Sequence, residues 1–205
     1  MKILIAVPCM DINPVGFTHS LAVVNKPQDC VLSMLTGSLI YESRNKLCKQ
    51  AINIGADYIM WFDSDMVFPQ DTIEKMVKHM ENGLEIVSGL YFRRAKPFTP
   101  TIFKSYTEQE ENIVWEDYND YPDELFEIAG CGFGCVMVKT EILLDLALNY
   151  RNWFMPYKNC GEDMSFCFRA KELGHKIYCD PTIKCGHTGY TVIDESIFKA
   201  IGENK

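Results

Sequence analysis

Two carboxylates one residue apart, a third at the start of a later helix, and a histidine near the C-terminal end have types and spacing that suit catalysis. The run Trp61-Phe-Asp63-Ser-Asp65-Met66 follows an apolar segment and delivers Asp63 and Asp65 into the loop beyond it. In open α/β sheets that carboxyl-terminal edge is where ligands bind. On a continuing strand residues i and i+2 share a face, and a turn at Ser64 converges them further. Two hard oxygen ligands suit Mg²⁺ or Mn²⁺, with a substrate diphosphate completing the shell. The competing reading is a solvated turn with a capping Asp ahead of a helix opened by Pro69.

Gly161-Glu-Asp163 opens a segment carrying Phe166, Phe168, Ala170 and Leu173. Asp163 there is either an N-cap for free backbone amides or a carboxylate kept ionised by the helix dipole, as a general base needs near neutral pH. His187, in Cys185-Gly-His-Thr188, follows an apolar strand and Pro181. Alone it reads as a surface or hydrogen-bonded histidine; the carboxylates give it interest. Arg93-Arg94 with Lys96 is the compact basic cluster, suited to donor phosphates or an anionic acceptor and equally to a solvated loop.

These residues need strands and helices to position them. Ile3–Val7, stopped by Pro8, reads as a strand buried on both faces. A helix is expected within 17–35 and a second strand at Ser38–Tyr41. From Ser43 the spacing of Leu47, Ala51, Ile52 and Ile54 is helical, with Gly55 as the stop. Asp57–Phe62 is a strand. Pro69 opens a helix with Ile73, Met76, Val77 and Met80 as its stripe, and Glu85–Leu90 is again a strand. Strand–helix alternation argues for an α/β fold with a mainly parallel central sheet flanked by helices. Further on, Leu125–Ala129 and Phe133–Val138 read as strands around a glycine-rich turn, Glu141–Leu148 and Glu162–Leu173 as helices, and Lys176–Cys179 as a strand, with a mixed tail to Lys205.

In this order the features resemble the family 2-type glycosyltransferases of the GT-A fold, a Rossmann-like nucleotide-diphospho-sugar transferase architecture. The resemblance rests on the strand ending at Pro8, Ser43-Arg44-Asn45, Asp63-Ser-Asp65, Ala129-Gly-Cys-Gly-Phe-Gly-Cys-Val-Met137, Gly161-Glu-Asp163-Met-Ser-Phe166 and His187. It implies that Asp65 binds a divalent metal, Mn²⁺ or Mg²⁺, with His187 as a further ligand and Asp63 contacting the ribose or the metal. Asp163 is then the base that deprotonates the acceptor hydroxyl. Pro8, Arg44, Asp63 and Ser64 lie with the nucleotide sugar, and Glu162 lines the acceptor side with Gly132 of the turn Gly130–Gly134. Many relatives end the second strand with an acidic pair that reads the base; here only Glu42 is a candidate. The expected activity is metal-dependent transfer from a nucleoside-diphosphate sugar, UDP before GDP, to a hydroxyl of a glycan, a lipid-linked sugar or another acceptor, with inversion. The alternatives are a nucleotidyltransferase or sugar-nucleotide hydrolase on the same carboxylates, and a non-catalytic carbohydrate- or partner-binding module.

With no internal repeat or linker, 1–205 reads as a single domain: a nucleotide-sugar-binding half at 1–107, an acidic insert at 108–124, and an acceptor half at 125–205. The net charge of −8 comes from that insert, whose eight acids lack any Lys or Arg. The acidic balance disfavours non-specific nucleic-acid binding, which is driven by Lys and Arg. The insert is expected to be an exposed, mobile acidic loop; its Trp115, Tyr118 and Tyr121 also suit an acceptor-side flap. Nine cysteines, an odd number in apolar surroundings, read as reduced thiols of a cytoplasmic protein. Zinc on Cys160, Cys167, Cys179, Cys185 and His187 is disfavoured, because no pair has the spacing of a zinc knuckle. No apolar run approaches the ~20 residues of a membrane span.

Overall fold

Apolar runs as continuous as Ile3–Val7 need a sheet covered on both faces, because alternate side chains of a strand point to opposite sides. The computed structural model describes residues 1–37 and 39–189. In chain order its elements are β1 (Ile3–Cys9), α1 (Val15–Val23), β2 (Cys30–Thr36), α2 (Ile40–Asn53), β3 (Tyr58–Phe62), β4 (Met66–Val67) and α3 (Thr72–Glu81). There follow β5 (Ile86–Leu90), β6 (Ile102–Glu108), β7 (Ile113–Asp117), β8 (Phe126–Ile128), β9 (Gly130–Cys131), β10 (Cys135–Lys139), α4 (Thr140–Asn149), α5 (Glu162–Glu172), β11 (Ile177–Lys184) and β12 (Gly186–His187).

The central sheet has seven strands in the order β2-β1-β3-β10-β5-β11-β8. Strands β2, β1 and β3 are parallel, as are β5 and β11, while β10 runs antiparallel between β3 and β5 and β8 is antiparallel at the edge. From β1 the chain moves out to β2, then returns to β3 on the other side of β1. That reversal opens a crevice at the carboxyl ends of β1 and β3. Two small sheets lie outside: β12 pairs with β4, and β6 lies between β7 and β9.

All seven residues of β1 are buried, and their alternation builds two cores. Leu4, Ala6, Ile59, Trp61 and Val136 pack with Leu47 of α2, Leu143 of α4 and Phe166 of α5. Ile3, Ile5, Val7, Met60 and Phe62 pack with Phe17 of α1 and Met76 of α3. Each such side chain contributes roughly 1.5–3 kcal/mol on leaving water. The parallel-sheet α/β architecture is therefore as expected. None of the described helices is long and apolar enough to cross a membrane.

Several boundaries differ from the sequence expectation. Within 17–35 the helix is only α1, and 30–36 is the edge strand β2, registered on β1 from Ile3↔Cys30 to Cys9↔Thr36. An edge strand leaves Leu32 and Met34 half exposed, so it shows no continuous apolar run; backbone pairing with β1 defines it. The strand expected at Ser38–Tyr41 is displaced: Ile40 starts α2, and Ser38 lies outside the described residues. The strand expected at Lys176–Cys179 continues through Pro181 to Lys184, with the proline where the register on β5 shifts. The tail expected to be mixed lies outside the described residues from 190 onward.

The acidic insert is also corrected. It holds β7, paired antiparallel to β6, with Ile113 buried and Trp115 packed against Phe103 and Tyr106. Ile113 and Trp115 face inward while Val114 and Glu116 face outward, so 113–117 of the insert is one strand of a hairpin rather than part of a loose loop.

One polar contact ties the loop before α5 to α2. Asn45 Oδ1 accepts hydrogen bonds from the Trp153 and Phe154 amides at 3.1 and 3.0 Å. Asn45→Ala would leave both buried donors unpaired, at roughly 1–3 kcal/mol each. We expect a loss of about 2–4 kcal/mol, read as a lower urea midpoint at unchanged slope.

Candidate functional site

A cavity of about 720 Å³ opens at the carboxyl edge of β1, β2 and β3, within the roughly 300–1,000 Å³ typical of small-molecule sites. Pro8, Asp63, Ser64, Asp65, Gly132, Asp163 and His187 all line it. Separate elements deliver them: Pro8 near the end of β1, Asp63–Asp65 after β3, Gly132 between β9 and β10, Asp163 in the first turn of α5, and His187 on β12. Glu42, the candidate base reader, is exposed on α2.

Arg44 is placed differently. It is only 1% exposed and sits behind the wall that its neighbour Ser43 lines. Its Nη2 donates to Asp63 Oδ1 at 2.9 Å, and its Nε lies 3.6 Å from Glu162 Oε1. The guanidinium rests against the rings of Trp61, Phe133 and Phe154 at 5.4–5.8 Å. Burial works against its charge, but Asp63, Glu162 and Asp163 outweigh that and hold it above the usual arginine range. Burial pushes the Asp63 carboxyl up despite Arg44.

Asp63 and Asp65 do not share a strand face, because β3 ends at Phe62 and the two carboxylates sit in the following turn. Asp63 turns to Arg44 and Asp65 to His187. The pairing of β12 with β4 sets His187 opposite Met66, and the Thr188 amide donates to the Asp65 carbonyl at 2.8 Å. His187 Nε2 lies 3.4 Å from Asp65 Oδ2, and its Nδ1 lies 2.9 Å from the Phe92 carbonyl. Burial opposes ionisation of Asp65, but His187 and Arg94 lower its pKa; burial likewise opposes the His187 cation, but Asp65 and the Phe92 carbonyl raise its pKa.

The donor set fits a divalent metal. The Phe92 carbonyl holds the Nδ1 proton, so that Nε2, once deprotonated, can share a cation with the Asp65 carboxylate. Among the described residues no three His, Cys, Asp or Glu side chains form such a group. Two protein ligands, Asp65 and His187, would thus need a ligand's oxygens to complete the shell.

Asp163 is not the N-cap of α5; Gly161 holds that position. Asp163 Oδ1 accepts from the Met164 amide at 2.7 Å. Burial, reinforced by Glu162, pushes its pKa up to about 6 against the opposing pull of Arg44 and that amide. Desolvation thus outweighs the helix terminus, and a group with a pKa of about 6 is still ionised near neutral pH.

Sequence reasoning missed Tyr91 and set aside the basic cluster. Tyr91 lines the cavity just beyond β5, and its hydroxyl accepts from the Gly134 amide at 3.0 Å. A Cβ on Gly132 would collide with that hydroxyl, and one on Gly134 would lie 2.8 Å from Tyr91 Cζ, which explains the glycines of this turn. The signal was positional: Tyr91 follows an apolar strand, as Asp63 does. Arg94 Nη1 donates to Asp65 Oδ2 at 2.8 Å, and Arg93 pairs with Asp117 of β7 at 2.6 Å. Lys96 is exposed. All nine cysteines are free thiols. Those weighed for zinc fall apart: Cys160 packs with Ile113 and Phe168, Cys167 and Cys179 lie in one core, and Cys185 lies in the other.

Comparison with known proteins agrees with this fold. The profile of glycosyl transferase family 2 matches residues 38–146, more than half of the chain. The mannan polymerase complex subunit mnn9 of Schizosaccharomyces pombe is 23% identical over 164 residues, covering 66% of this chain and 47% of the relative. The chain thus spans about half the length of that relative. Among solved structures, A197 from STIV superposes with a TM-score of 0.67 at 19% identity, covering 93% of this chain and 87% of the other. GalNAc-T7, solved with UDP, GalNAc and Mn²⁺, gives 0.66 at 9% identity, covering 91% and 44%. S. aureus TarS 1-349 in complex with UDP-GlcNAc gives 0.60 at 15%, covering 96% and 61%. These structural likenesses share the fold, and the profile match settles the family: the chain belongs to glycosyl transferase family 2.

Proposed function

We propose that the protein transfers a sugar from a nucleoside-diphosphate sugar to an acceptor hydroxyl, with the metal pair Asp65–His187 and the base Asp163 lining one cavity. That shared cavity is the observation that carries the reading. UDP is the favoured nucleotide because two of the similar structures hold UDP or a UDP-sugar. Pro8, Ser43 and Ser64 line the donor end, and Asp65 with His187 holds the metal there. When bound, the metal supplies positive charge to the departing diphosphate. Asp63 acts by anchoring Arg44, which braces the wall rather than touching the donor.

Acceptor recognition falls to Phe103, Met164 and Gly132, which line the same cavity as Asp163. The ring and thioether suit the apolar face of a sugar. Glu162 contributes through Arg44. Asp163 takes the acceptor proton while the hydroxyl oxygen attacks the anomeric carbon. A pKa of about 6 leaves it ionised yet basic near neutral pH. One base and one displacement invert that carbon.

UDP with Mn²⁺ should raise the melting temperature of the wild type, since a ligand of the native state stabilises it. No shift with any nucleoside diphosphate and metal would remove the donor-site reading. A panel of nucleotide sugars assayed for metal-dependent release of the nucleotide identifies the donor.

Transfer should rise with pH through about 6 and then level off, as Asp163 loses its proton. Asp163→Asn should retain UDP–Mn²⁺ binding and lose transfer by at least roughly a hundredfold; full activity in that variant would refute the base.

The same group makes a stability prediction. Its folded pKa lies above the ordinary aspartate value of 3.8, so ionisation weakens the fold as pH rises from about 4 to about 6. Asp163→Asn should therefore be more stable than wild type at pH 7, by about 1–3 kcal/mol. The gain should vanish near pH 3 in denaturant titrations.

A further inference from the structure

Arg94 is the cavity-lining cation nearest the candidate metal ligands. Its Nη1 and His187 Nε2 meet the same atom, Asp65 Oδ2, at 2.8 and 3.4 Å. An arginine donating to a carboxylate oxygen and a dication coordinated by that oxygen repel each other, so one displaces the other. Of the other carboxylates around the cavity, Asp63 is engaged by Arg44, Asp117 by Arg93, and Asp163 by the Met164 amide. A displaced Arg94 therefore faces the cavity without a described carboxylate of its own. Its aliphatic stem lies along Gly189, while half of the side chain stays exposed, so the head can swing with the stem held.

We propose that Arg94 and the metal compete for Asp65, and that the displaced guanidinium then binds the donor's diphosphate, which makes metal binding dependent on the nucleotide. The inference rests on the donor-site reading above. Metal alone must break the Arg94–Asp65 pair and leave a lone cation beside a dication. Metal with a nucleoside diphosphate gives that cation an anionic partner, because a guanidinium can pair with two phosphate oxygens at once. The two ligands thus favour each other's binding through a charge that both must accommodate, and linkage requires the effect to be reciprocal.

The test uses the full chain with Arg94→Met, which keeps the stem length and removes the charge, and Arg94→Lys, which keeps the charge. Mn²⁺ alone is titrated by electron paramagnetic resonance, and UDP by calorimetry with and without Mn²⁺. Unchanged melting temperatures establish that the variants fold, as expected at a half-exposed position. Arg94→Met should bind Mn²⁺ alone about tenfold more tightly than wild type, and UDP in the presence of Mn²⁺ about tenfold more weakly. Arg94→Lys should stay close to wild type in Mn²⁺ alone. If the wild type binds UDP–Mn²⁺ but Arg94→Met binds Mn²⁺ alone no more tightly, the competition is refuted and the donor site stands. If the wild type binds neither Mn²⁺ nor UDP–Mn²⁺, the donor-site reading fails and the inference with it.

Discussion

A single buried cation organises the carboxylates of this site. Arg44 lies among three aromatic rings with its guanidinium on Asp63 and close to Glu162. Ions taken out of water are expensive, and attraction inside the protein repays that cost only when the geometry is good. Here Nε and Nη1 of Arg44 have no hydrogen-bond partner among the described residues, so the cluster is incompletely satisfied. A hydrophobic residue in its place would leave Asp63, Glu162 and Asp163 crowded together without a counter-charge. The cluster joins α2, the end of β3 and the first turn of α5, three segments distant in sequence that shape the cavity wall.

The second constraint is a pair of very short strands. β4 and β12 hold two residues each, yet their pairing brings His187 beside Asp65 across more than a hundred positions of chain. The Thr188–Asp65 backbone bond and the Phe92 carbonyl on Nδ1 complete the alignment. Tyr91, 5.5 Å from the His187 ring and bonded to Gly134, carries that alignment to the turn facing Asp163. The two ends of the cavity are therefore linked through one tyrosine and the glycines that make room for it.

Asp163 shows how burial sets chemistry. A helix N-terminus alone lowers a carboxyl pKa, yet here desolvation and Glu162 prevail. The surrounding fold thus keeps an ionisable group where its charged form is disfavoured, as the proposed base requires. Arg44 pulls in the opposite direction, towards the ionised form.

Much of the architecture was legible in the residues. β1, β3 and β5 are buried on both faces, and their apolar runs said so; α3 carried its stripe, and Asp63, Asp65, Asp163 and His187 stood at loop and helix-start positions that the fold brings to one edge. Those signals are local, because a strand's burial and a helix's stripe are written in neighbouring residues. β2 was not legible, since a half-exposed edge strand takes its identity from pairing with β1. Neither was the hairpin of the acidic insert, where three aromatic rings outweigh the solvation of the acids. The placement of Arg44 behind the wall, Arg94 on Asp65, and the raised pKa of Asp163 were decided by tertiary structure alone. Charge pairing and desolvation depend on distances between residues far apart in the chain, and residue type does not encode those distances.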